Sequence, residues 1–219
     1  MTRKFRPLTP QLLRRVPDMC VGCVFWESGS RLEARCGSEQ DLARAVAWAE
    51  HVTAEWGEPG RAALEEGEVL GIVKYAPARY FPQARNMPAG PPSDDAVLLA
   101  CMHIVPEARQ HGLGKLLLHA ALRDLVGRGE RSVEAYGVAS QPDYATSPLV
   151  GVEFLLRSGF TVLRPHPDMP LMRLDLRTLA VLRGDLETML DALRIPLGAP
   201  ARAPAHFEAS PAVRNLGRT

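Results

Sequence analysis

The apolar positions change period along the chain. Leu42, Ala45, Val46, Ala49, Val52 and Trp56 recur every three to four residues, which predicts an amphipathic helix. Ser38 precedes it as an N-cap with Asp41 three residues on, and Gly57 follows as a stop. Residues 62–66 and 68–76 flank Gly67 and predict a hairpin. Residues 96–105 form an unbroken apolar run, which predicts a buried central strand ended by Pro106. From Gly112 to Val126 the helical period returns, with Leu113, Leu116, Leu117, Ala120, Ala121 and Leu125 expected on the sheet side and Gly127 and Gly129 at the end. Residues 132–138 then predict another strand.

The flanking segments are less regular. Residues 3–7 predict a short strand, and Thr9-Pro10 opens a helix carrying Leu12, Leu13 and Val16 and closed by Pro17. Residues 19–27 predict a strand or a packed loop. The proline-rich residues 77–92 hold Tyr80 and Phe81, as a lid or binding loop would. Pro148 is expected to open a helix through Arg157, capped by Gly159, and strands follow at residues 160–163 and 171–176. Residues 179–193 predict a terminal helix, and residues 196–219, rich in Ala and Pro, an extended or disordered tail. A βαβ unit mixed with antiparallel pairs predicts an α/β chain, with a mixed, mostly antiparallel sheet between helices. The expected division is one domain over 1–177, a packing helix over 178–195 and a tail over 196–219.

Composition narrows the partners. A chain of 219 residues, 46% hydrophobic, has enough apolar mass for one sizeable core. With a net charge of +1 there is no field favouring nucleic acid or an anionic membrane. Only Lys4, Lys74 and Lys115 are lysines among 26 basic residues, a bias expected of a GC-rich bacterial genome. No signal-like apolar stretch opens the chain and no apolar run is long enough to span a membrane, so a cytoplasmic protein is expected. Four cysteines, Cys20, Cys23, Cys36 and Cys101, are then expected to stay reduced. A zinc site from Cys20, Cys23, Cys36 and His51 lacks the second closely spaced pair that such sites use, so no metal is expected.

Chemistry concentrates where the central strand hands over to the long helix: Val105-Pro-Glu-Ala-Arg109-Gln-His-Gly112-Leu-Gly114-Lys115. Free backbone N–H groups at a helix start, approached through glycines, suit a phosphate. The Arg109-x-x-Gly112-x-Gly114 pattern between strand and helix resembles the signature of the GCN5-related N-acetyltransferase (GNAT) superfamily. Phe154-Leu-Leu-Arg-Ser-Gly159-Phe160 resembles a second landmark of it, and Cys20 to Glu27 is similar to an uncharacterised bacterial branch.

The resemblance implies the GNAT fold, with acetyl-CoA as co-substrate and an amine acceptor, either a small molecule or a protein amine. It implies direct attack by a primary amine; a monomer or homodimer is expected, and the charge balance predicts no nucleic acid or membrane partner. Gln110, His111, Gly112, Leu113, Gly114 and Lys115 would surround the pyrophosphate with Arg109 nearby, and Met102, His103 and Ile104 would meet the pantetheine arm. Glu134 matches the place of one family base, and His103 is a second candidate. Cys101 and Leu155 stand where the family often keeps a glutamate and a thiol-protonating tyrosine, which leaves Tyr144 or Tyr136 as substitutes. Trp26, Glu27, Tyr80 and Phe81 are the expected acceptor pocket, with Glu27 attracting an ammonium group. The competing reading is an acyl-CoA-binding protein that has lost the chemistry.

Overall fold

The computed structural model describes residues 3–16, 23–29, 38–109, 111–139 and 148–177. The expected helix at 179–193 and the tail lie outside them. The strands are β1 (Lys4–Pro7), β2 (Gly60–Glu65), β3 (Glu68–Pro77), β4 (Val97–Ile104), β5 (Ser132–Val138), β6 (Val150–Gly151), β7 (Thr161–Arg164) and β8 (Leu171–Asp175). The helices are α1 (Pro10–Leu13), α2 (Phe25–Ser28), α3 (Glu39–Glu55), α4 (Leu113–Gly127) and α5 (Val152–Arg157). The sheet order is β1-β2-β3-β4-β5-β8-β7, with β6 beside β5. All pairs are antiparallel except β4–β5 and β5–β6.

Local chemistry explains the long helices. Ser38 Oγ accepts from Asp41 N at 3.0 Å and so caps α3. At its far end Gly57, at φ 121°, donates to the Val52 carbonyl. The β2–β3 hairpin turns on Glu66 and Gly67, both at positive φ. α4 seats Leu113, Leu117, Leu118, Ala121, Leu122 and Leu125 in the core, while Leu116 is 46% exposed. The buried stripe is thus turned by about one residue from the expected one, because side chains on a helix lean toward its N-terminus.

The core divides across the sheet. Val73, Tyr75, Val97, Leu99, Val133 and Ala135 face α4. Leu98, Ala100, Cys101 and Tyr136 face the other way, toward α2, α3 and the segment after β3. That segment is packed rather than lid-like. It forms two 3₁₀ turns (Ala78–Tyr80 and Pro82–Asn86), with Tyr80 and Phe81 buried and Trp48 Nε1 donating to the Tyr80 carbonyl at 2.7 Å. Two other expectations change. Residues 25–28 form the short helix α2 rather than a strand or loop. The segment after Pro148 makes β6 before α5 starts at Val152, because Val150 and Gly151 pair with β5.

Candidate active site

Two irregularities in the sheet create the site. The β3–β4 register shifts between Lys74 and Tyr75, which leaves Ala100 as an extra residue on β4. A bulge bends its strand. β4 then pairs with β5 only at Val97 and Leu98, while β5 continues to β6 through Gly137 and Val138. Past Leu98 the two parallel strands part, and β4 presents an open edge from Cys101 to Ile104.

Hydrogen-bond alternation decides which backbone groups face the gap. Val105 N donates to the Leu70 carbonyl on β3 at 2.9 Å. Alternation therefore points His103 toward β3, and Met102 and Ile104 toward the gap. The expectation that His103 offers backbone groups to a pantetheine arm is corrected by this geometry. Ile104 offers its N–H there, while its carbonyl accepts from Arg109 Nε at 2.8 Å. Arg109 thereby braces the strand-to-helix turn.

The α4 N-terminus stands at the same end. Gly112 is its N-cap at φ 75°, and a Cβ there would meet nothing within 4 Å. The first intrahelical acceptor is the Gly112 carbonyl, taken by Leu116 N at 3.2 Å. The N–H groups of Leu113, Gly114 and Lys115 precede it, with no side-chain cap and no acidic residue in the first turn. This contrasts with α3, whose Ser38, Glu39 and Asp41 satisfy the same need. A Cβ on Gly114 would lie 3.7 Å from the Phe154 ring and 3.8 Å from Met102 Cε, so the helix start, the open edge of β4 and α5 converge there. His111 and Lys115 are exposed at the rim, and Leu113 is buried beneath it. Gln110 lies outside the described residues. An uncapped helix start with positive side chains and open space at its glycine suits a phosphate anion, as the pyrophosphate of a CoA donor requires.

The other expected residues separate. Glu134 is fully buried: Oε1 accepts from Arg173 Nη1 at 2.7 Å and Oε2 from Ser93 N at 2.8 Å. It pairs with Leu98 at the closed end of the wedge. A sequestered carboxylate with both oxygens engaged is a structural anchor, so the expectation of a base there is set aside. His103 is 7% exposed and shares the α3-side face of β4 with Cys101. Tyr144 lies outside the described residues. Tyr136 is in the core, its hydroxyl shared between the carbonyls of Ala84 and Gly90, and burial pushes its pKa up. Leu155 is fully buried against α4 and supplies no proton donor.

The expected acceptor pocket divides likewise. Trp26 stacks on Tyr136 at 5.9 Å and meets Phe81 edge-on at 6.2 Å, and with Tyr80 they form interior wall rather than an open pocket. Glu27 differs. Its side chain is 4% exposed, and Oε1 accepts from Lys74 Nζ at 2.6 Å. Burial opposes the Lys74 ammonium, but Glu27 foremost, together with Cys101 and Cys23, outweighs it, so the Lys74 pKa is raised above its ordinary value. Sequence reasoning missed Lys74, a lone charge in an apolar strand whose partner lies 47 residues away. Cys20 and Cys36 lie outside the described residues. His51 is exposed on α3, beside Glu55.

A splayed parallel pair, a bulged central strand and an uncapped phosphate-ready helix define an acyl-CoA-dependent acyltransferase class. A model described as the acetyltransferase (GNAT) family matches residues 26–146, more than half of the chain. The chain belongs to the GNAT acetyltransferase family, and acyl transfer is its chemistry. Solved structures share the fold. An N-acetyltransferase from Staphylococcus aureus Mu50 is 14% identical at a TM-score of 0.53, over 80% of this chain and 99% of that one. YncA from Salmonella typhimurium, solved with its cofactor acetyl-CoA, is 18% identical at 0.52, over 80% and 94%. A ribosomal-protein-alanine N-acetyltransferase from Brucella melitensis is 18% identical at 0.51, over 78% and 99%. No curated protein matches the chain.

Proposed function

We propose that the chain is a cytoplasmic N-acetyltransferase that moves an acetyl group from acetyl-CoA to a primary amine by direct attack. The observation that carries this reading is the convergence of the α4 start, β4's open edge and Phe154 around Gly114. The pyrophosphate sits on the N–H groups of residues 112–115, with His111 and Lys115 at its rim. The pantetheine arm lies along β4 as an added strand, meeting the backbone of Met102 and the N–H of Ile104. An N–H on this edge polarises the thioester oxygen. The neutral amine attacks the thioester carbon, the C–S bond breaks, and the CoA thiolate leaves to be reprotonated from solvent. His103, on the opposite face of β4, takes the amine proton.

Acetyl-CoA titrated into the chain by calorimetry binds, and Gly112→Asp abolishes that binding. The substitution adds a carboxylate where the anion would sit; its Cβ meets no protein atom within 4 Å, at a backbone φ of 75° that Asp tolerates better than most residues. Full binding by the variant would refute the pyrophosphate site. Thiol release across a panel of primary amines then separates transfer from bare hydrolysis. The same assay tests the competing non-catalytic reading.

A further inference from the structure

The flank of α4 turned toward β1 and β2 is left open. A groove of about 670 Å³ runs there, a volume within the range of small-molecule sites. Its helix side is the stripe Leu116, Ala120, Arg123 and Gly127, spaced four, three and four residues apart. Its sheet side holds Phe5 and Arg61. Phe5 pairs with Ala63 and Arg61 with Val73, and both partners belong to the core under α4, so the two side chains share that face. Ala120 and Gly127 are small and leave room along the stripe, where Leu116 stays exposed.

One wall of the groove is a fixed ion network. Asp124 accepts from Arg61 Nη2, from Arg128 Nη2 at 2.8 Å and from the Tyr75 hydroxyl at 2.7 Å. Arg128 also lies 4.6 Å from the centre of the Trp56 ring, with Glu58 Oε2 at 3.6 Å. Arg123 stands outside this network. It is exposed, and its helix neighbours His119, Ala120, Val126 and Gly127 carry no carboxylate. Apart from His119, three guanidinium groups stand against the carboxylates of Asp124 and Glu58, a surplus of one positive charge. That surplus matches one carboxylate and falls short of a phosphate dianion.

We propose that this groove is a second ligand site, apart from the donor turn, that takes an aromatic monocarboxylate. The ring packs on Phe5 and Leu116, and the carboxylate pairs with the Arg123 guanidinium. The Asp124 network does not move to receive it, because its guanidinium groups are already held. The site is distinct from the one described above. At 1.5 Å per residue, Arg123 stands about 16 Å along α4 from Gly112. The sheet separates them as well, since β3 lies between β2 and the open edge of β4. The proposal does not depend on which acceptor receives the acetyl group.

The test is calorimetry on the full chain at pH 8, above the range in which histidine ordinarily ionises. 1-Naphthylacetate binds at one site, and 1-naphthylacetamide, of the same shape without the charge, binds about tenfold more weakly. Arg123→Gln lowers the affinity for the acid about tenfold, the lower end for a hydrogen bond to a charged group because Arg123 is exposed. Leu116→Ala lowers it about threefold through lost apolar contact. Both positions are exposed, so both variants fold, and both keep the native affinity for acetyl-CoA. Saturating acetyl-CoA leaves the naphthylacetate bound. Equal affinity for acid and amide overturns the proposal, and so does native affinity in either variant. Displacement by acetyl-CoA overturns it, because the probe would then occupy the donor turn. Inorganic phosphate binding more tightly than the acid overturns the ligand class, and absence of binding by the native chain overturns the site.

Discussion

Glu134 and Glu27 are two buried carboxylates with opposite situations. Glu134 has each oxygen matched to a donor, whereas among the described residues Glu27 has one oxygen matched and one not. Glu134→Gln is therefore expected to lower Tm by leaving Arg173 and Ser93 N poorly matched, while kcat stays within about an order of magnitude of the native value. A general base would cost about 10²- to 10⁴-fold in kcat, so a loss of that size would restore Glu134 to the chemistry. The phenols of Tyr75 and Tyr136 are raised by burial, and Tyr75 further by its hydrogen bond to Asp124. Unfolded tyrosine ionises near pH 10, so their contribution is whole below that pH and is lost as pH climbs toward the folded values. Absorbance at alkaline pH should show these two phenols ionising together with unfolding. Smooth titration of a folded chain would contradict their burial.

At the scale of elements, the two ends of α4 differ from its body. Its start has no side-chain cap, and its body anchors the sheet through Leu117 and Leu118, both fully buried. Leu117→Ala should cost about 2–5 kcal/mol in chemical denaturation. Leu116→Ala, on the exposed side, should stay within about 0.5 kcal/mol. Similar losses at both positions would mean that the helix sits at another rotation. Ser38→Ala should remove about 1 kcal/mol through the α3 cap and leave acetyl-CoA affinity untouched. The caps and the period of α3, the hairpin at Gly67 and the glycine turn at 112–114 were legible because each depends on residues close in sequence. The bulge at Ala100, the parting of β4 from β5 and the packing of the proline-rich segment were not. They arise from pairing between distant strands, which no local period records.

At the scale of the whole molecule, Arg173 on β8 ties Asp95, before β4, to Glu134 on β5. The Arg173 guanidinium beside Asp95 holds its carboxyl below the usual range, and Arg177 holds Asp175 down to about 2. Groups with depressed pKa values stabilise the fold above the unfolded value near pH 4, and that contribution is lost as pH falls through the folded values. Tm should drop between about pH 4 and pH 2. Arg173→Met should flatten the part of that slope due to Asp95, and an unchanged slope would show that the tie contributes nothing.

The sequence by itself determined the long helices α3 and α4, the hairpin at Gly67, the glycine turn between β4 and α4 and the family to which the chain belongs. Those features need only neighbours within a few residues: a cap, a period, a glycine at positive φ. Only the tertiary structure decided which titratable groups are available for chemistry. It closed Glu134 against Arg173, turned the backbone of His103 toward β3, buried Trp26, Tyr80 and Phe81 as interior wall, and brought Lys74 to Glu27. Availability depends on burial and partners, and both are set by residues tens of positions apart that meet only when the sheet assembles.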